Sequence, residues 1–82
     1  MPHLFLNFRE DGVLLQDAEG RDYSTLDAAR GDAIRSARDI IAEQIRQGQP
    51  IDGARIEITD ATGDILDIVF FKDVIIRKSE AE

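Results

Sequence analysis

Apolar and polar positions alternate from the start of the chain. Leu4, Leu6 and Phe8 fall on one side of His3–Arg9, and His3, Phe5, Asn7 and Arg9 on the other. A period of two marks a strand with one face turned inward. Glu10-Asp11-Gly12 follows, and Asp-Gly supplies the positive-φ positions of a tight hairpin. Val13-Leu14-Leu15-Gln16 is the returning strand. Asp17-Ala18-Glu19-Gly20 then places Asp first and Gly fourth, as a type I turn requires, and Arg21-Asp22-Tyr23 adds a short extended stretch.

The period then changes to that of a helix. Leu26, Ala29, Ala33, Ala37, Ile40 and Ile41 form an apolar stripe, widened by Ile34 and Ile45. Ser24 reads as the N-cap, with Asp27 in the place of the capping-box acid. Gly48 reads as the C′ residue and Pro50 as the stop. A helix over about residues 25 to 47 is roughly 35 Å long. Its alanines allow close approach to a sheet, while Gly31 in its interior costs about 1 kcal/mol relative to Ala.

A second hairpin follows. Ile56 and Ile58 point one way and Arg55, Glu57 and Thr59 the other. Asp60-Ala61-Thr62-Gly63 repeats the earlier turn chemistry. Ile65–Phe71 reads as a strand with Leu66, Ile68 and Phe70 on one face, leaving Val69 and Phe71 on the other. Val74-Ile75-Ile76 extends it or forms an edge, and residues 77–82 are a polar tail. The pattern predicts one domain over residues 1–76 with β-β-α-β-β order. Its class is α+β: an antiparallel sheet of about four strands with one long helix across one face. The order of the hairpins within the sheet stays open.

Several stretches together resemble a known family. They are Leu4–Gly12, Asp17–Gly20, Leu26–Arg30, Ala33–Asp39, and Ile56–Asp60 with Gly63 and Phe70-Phe71. The family is a set of short uncharacterised bacterial proteins classed as a domain of unknown function. The resemblance implies a bacterial, cytoplasmic protein, and it brings no activity, cofactor or catalytic residue. Thr25-Leu26-Asp27-Ala28-Ala29, opening an Ala-rich helix after a hairpin, is also similar to antitoxins of the HicB type. That likeness spans the first half alone, and no DNA-binding segment follows it.

Composition narrows the chemistry. The 82 residues contain no Cys, which removes disulfides and thiolate metal sites, and one His, His3, which argues against a His-rich metal site or a His-based triad within one chain. Ser24 has no imidazole near it in sequence, so capping explains it better than nucleophilic catalysis. No catalytic, cofactor-binding or metal-binding residue is assigned, and the reading is non-enzymatic. No apolar run reaches the ~20 residues of a membrane span, and the N-terminus lacks the pattern of a secretory signal. A net charge of −7 repels phosphate backbones. The acids of residues 10–22 and the Asp60–Asp64 segment, which lacks the middle ligand of a calcium loop, read as turn chemistry.

Two surfaces remain as candidates. Arg35, Arg38 and Arg46 could grip RNA or an acidic partner, as an antitoxin-like or nucleic-acid-associated regulator would. Acids interleaved on the same helix favour internal i,i+3 and i,i+4 pairing instead. Arg30 and Gln44 point toward the apolar arc, explained by a snorkelling arm and a frayed last turn. The second surface is the sheet face that one helix cannot cover. Phe5, Asn7, Val69 and Phe71 are placed there with Ile65 and Leu14, rimmed by Arg9, Arg55, Glu57 and Asp67. An exposed apolar patch marks an interaction surface. The expectation is a homodimer or a protein partner, docked through this face or through edge strands, unless Val74–Ile76 fold back over it.

Overall fold

A computed structural model describes residues 2–49 and 53–80. Asp11 (φ 53°) and Gly12 (φ 78°) take the left-handed conformations the first hairpin needs. They join β1 (His3–Glu10) to β2 (Val13–Leu15), and β3 (Arg21–Asp22) returns to pair with His3 and Leu4. The long helix α1 spans Leu26–Arg46. Its N-cap is Thr25, not Ser24: the Thr25 Oγ1 accepts the Ala28 N–H at 3.1 Å. This shift puts Asp27 at the second helical position, so the expected capping box does not form. At the other end Gly48 (φ 72°) donates to the Ile45 carbonyl and Gln49 to that of Gln44. Those two bonds form a Schellman closure, with Gly48 the C′ residue as expected. Pro50, read as the stop, lies outside the described residues.

Strands β4 (Arg55–Thr59) and β5 (Ile65–Phe70) form the second hairpin. A second helix, α2 (Phe71–Glu80), stands where a strand extension and polar tail were expected. The fold is α+β, with an antiparallel sheet ordered β2-β1-β4-β5 and β3 beside β1. The hairpins therefore meet through β1 and β4, paired from Phe5↔Thr59 to Arg9↔Arg55. Among the described residues, no helix is long and apolar enough to cross a membrane.

Register decides which face each side chain joins. Leu4, Leu6, Phe8, Ile56, Ile58 and Val69 share the face under α1, closed by Ala29, Ala33, Ala37 and Ile41. The alanines bring the helix backbone close, as their spacing predicts. Val69 and Phe71 are therefore core residues, against the expectation that they lie on the open face. Phe71 is fully buried, its ring centroid 5.6 Å from that of Phe8, and its N–H donates to the Ala54 carbonyl. The reason lies in Asp67. As the lone polar residue of an apolar strand it reads as solvent-facing, yet it turns under the helix to meet the Arg30 Nη1 at 2.9 Å. A register irregularity at Ile58/Thr59 shifts the pairing before it. Ile68 and Phe70 consequently take the open face. Helix α2 packs beside α1 and buries Val74 in the same core, so Val74 turns away from that face instead of folding back over it.

Candidate functional site

The open face is built of three cross-strand rows. Leu14, Arg9, Arg55 and Phe70 form the first, Asn7, Glu57 and Ile68 the second, and Phe5, Thr59 and Ile65 the third. Apolar side chains hold most of the perimeter and polar ones the centre. Phe5 and Asn7 are where the sequence placed them, and Leu14 and Ile65 accompany them.

Glu57 is the centre. It is only 4% exposed, although no helix covers it. Arg9 and Arg55 lie directly opposite each other on neighbouring strands, and both donate through Nε to the Glu57 Oε2 at 2.9 Å. One carboxylate thus offsets the repulsion of two adjacent guanidinium groups. Burial alone would raise the Glu57 carboxyl, but the Arg55 and Arg9 donors outweigh it and hold it below the usual range. Beside it the buried Asn7 donates to the Thr59 Oγ1 at 3.2 Å and accepts the Asp17 N–H at 2.9 Å.

That last bond ties down one wall. The Asp17 carboxylate accepts the Leu6 N–H and the Gly20 N–H, both at 3.2 Å. Gly20 (φ 66°) lets the loop press on β1: a Cβ there would come 2.8 Å from the Leu4 carbonyl oxygen and from the Phe5 ring. His3 fastens the far end, with Nδ1 2.7 Å from the Asp22 Oδ1 and Nε2 2.7 Å from the Glu19 carbonyl oxygen. Both partners are acceptors, so the ring satisfies both only as an imidazolium. The hydrogen bond to Asp22, then that to Glu19, raises its pKa accordingly. The opposite wall is the 60–63 turn. The Asp60 Oδ1 accepts the Thr62 hydroxyl and the N–H groups of Thr62 and Asp64. The Thr62 hydroxyl leads in holding this carboxyl below its usual range. Its oxygen is spent on the turn, as Asp in that position implies. Between the walls lies a groove of about 430 Å³.

The arginines of α1 form no part of this face. Arg35 bonds the Asp32 carboxylate at 3.3 Å and Arg46 that of Glu43 at 2.6 Å, and both are exposed. Arg38 is exposed one turn beyond Arg35. The sequence reading missed how firmly other side chains are fixed. Arg30 reaches Asp67 and the Ile68 carbonyl, and Gln44 reaches the Glu10 carboxylate at 3.4 Å, where a snorkelling arm and a frayed turn were expected. The Glu57 knot also had a signal. Arg55 and Glu57 share one strand face at i,i+2, and Arg9 belongs to the polar face of another strand.

The family described as a domain of unknown function (DUF6894) matches residues 3–72, a span that takes in all five strands and α1. No curated protein and no solved structure matches the chain.

Proposed function

We propose that this chain, which belongs to the DUF6894 family, is a non-enzymatic module that associates with a second copy of itself through the open sheet face. The observation that carries the reading is the Arg9–Glu57–Arg55 knot. Among the described residues, the terminal nitrogens of both arginines and the Glu57 Oε1 bond no partner. Unused donors and an unused acceptor therefore lie in one small patch. Such a patch is complementary to itself, as a two-fold interface requires. Apolar side chains at the ends of the two outer rows, Leu14 and Phe70, Phe5 and Ile65, supply area to bury around it.

Light scattering over a concentration series tests this. Ile65→Asp and Leu14→Asp change opposite ends of the face, and Ile65 is already 52% exposed, so its loss leaves the core intact. The wild type should dimerise, and each variant should remain folded by circular dichroism and monomeric. A wild type that stays monomeric at every concentration, or variants that dimerise as it does, would overturn the proposal. A monomer whose face is instead covered by a different protein is the other outcome that rejects the second copy as occupant.

A further inference from the structure

The free edge of β5 has an unusual occupant, and the ladder shows why. The Leu6 N–H donates to the Asp17 Oδ2, so it points away from β4. In an antiparallel pair both backbone groups of a residue point the same way, and the direction alternates along the strand. Asn7 and its partner Glu57 therefore spend their backbone groups on each other. Glu57 then has none left for Ile68, its partner on the other side. The N–H and C=O of Ile68 must face outward from the sheet. Both are taken there by side chains. Asp67 Oδ1 accepts the Ile68 N–H at 2.8 Å, and the Arg30 Nη1 donates to the Ile68 carbonyl at 3.4 Å. Arg30 and Asp67 are also bonded to each other at 2.9 Å, which closes the triangle.

We propose that Arg30 and Asp67 form a guard over the β5 edge, and that the uncovered edge would pair with β5 of a second copy. An outward-facing strand edge is a template for strand addition, and charged side chains are one means of blunting it. This edge has more to blunt than most, because Ile65, Leu66 and Phe70 beside it are all exposed. The occupant follows from that composition. Antiparallel self-pairing about Ile68 sets Ile68 against its copy and Leu66 against Phe70, apolar against apolar, with Asp67 of the guard against Val69 between them. That register needs the two backbone groups the guard holds.

The test does not depend on the face interface, because it is run in the Leu14→Asp background. The double variant Arg30→Ala with Asp67→Ala should self-associate at least about tenfold more tightly than its parent, by light scattering. The chain has no cysteine. Adding Ile68→Cys should therefore give a disulfide-linked dimer on oxidation in the unguarded protein and not in the guarded one. Asp67→Asn, which keeps the shape and weakens the hold on Arg30, should show the same effect to a smaller degree and serves if the double variant does not fold. A folded variant that stays monomeric would overturn the guard. Association without the cross-link at position 68 would overturn the self-paired strand as its occupant.

Discussion

Removing both arginines that hold Glu57 should reverse the sign of this residue's contribution to acid stability. A hydrogen bond to a charged group contributes roughly 1.5–3 kcal/mol when shielded from water. The two arginine side chains are 32% and 36% exposed, so solvent screening reduces each bond to about 1 kcal/mol. Arg9→Met or Arg55→Met, which removes the donor and keeps the side chain's cover over Glu57, should alone cost about that much, since the remaining guanidinium still faces the carboxylate. The double variant is different. It leaves the carboxylate, 4% exposed in the wild type and still covered by the two methionines, with neither bonded partner, and an uncompensated buried charge costs about 3–5 kcal/mol. The double variant should therefore exceed the sum of the singles by roughly 1–3 kcal/mol. The pH dependence follows by linkage. In the wild type the folded-state pKa lies below the ordinary 4.5, so the stabilisation is present above pH 4.5 and is lost as pH falls through the folded value. In the double variant burial remains and the donors do not, so the folded pKa lies above 4.5. Its stability should then rise as pH falls toward 4.5, as the buried carboxyl takes up a proton. Urea unfolding by circular dichroism at a series of pH values measures both quantities. A wild-type-to-variant gap that stays constant from about pH 7 down to pH 4.5, with additive single costs, would refute a buried Glu57 charge.

Three further outcomes follow from the same geometry. Gly20→Ala should destabilise by about 2–4 kcal/mol, because strand backbone blocks the new methyl, whereas Gly12→Ala meets open space and should cost about 1 kcal/mol; equal urea midpoints would contradict this. Gly31→Ala, in the helix with nothing near its Cβ, should stabilise by about 0.5–1 kcal/mol. The imidazolium of His3 gives stability that is full below pH 6.5 and lost as pH rises through its raised folded value, so His3→Gln should flatten the stability curve in that window and leave it unchanged at higher pH.

Where the sequence reading succeeded, a single local signal had one structural solution. Asp11-Gly12 and Gly48 need left-handed backbone, and they mark the hairpin and the helix end as expected. The β1 and β4 faces alternate cleanly, so Phe5, Asn7, Arg9, Arg55 and Glu57 were assigned to the correct side. It failed where pattern carried no information. In Ile65–Phe70 every residue but Asp67 is apolar, so parity rested on one carboxylate. Its partner Arg30 is 37 positions away on the helix, a separation no local pattern encodes. That single misplacement moved Val69 and Phe71 to the wrong face and hid Ile68 and Phe70. The helix at Phe71 was missed for a related reason: Val74-Ile75-Ile76 is β-branched throughout, and tertiary packing of Val74 against the core overrides that propensity.

The distribution of charge explains why a face can stay open in so small a protein. An apolar residue at position 57 would suit the burial equally well, and replacing a buried ion group in this way is often neutral or stabilising. It would also carry the apolar strip of Ile65, Ile68 and Phe70 into the centre of the face, and larger apolar patches bind indiscriminately. Glu57 with its two arginines stops that strip and gives any contact a polar register to satisfy. The sheet sides are treated alike. Asp17 occupies the Leu6 N–H on the β1 side, and Asp67 occupies the Ile68 N–H on the β5 side. Strand addition is thereby disfavoured at both positions, and both helices lie on the opposite layer. The direction left for a partner is the face itself, which is why the self-complementary knot at its centre, rather than an edge strand, is the feature on which association should turn.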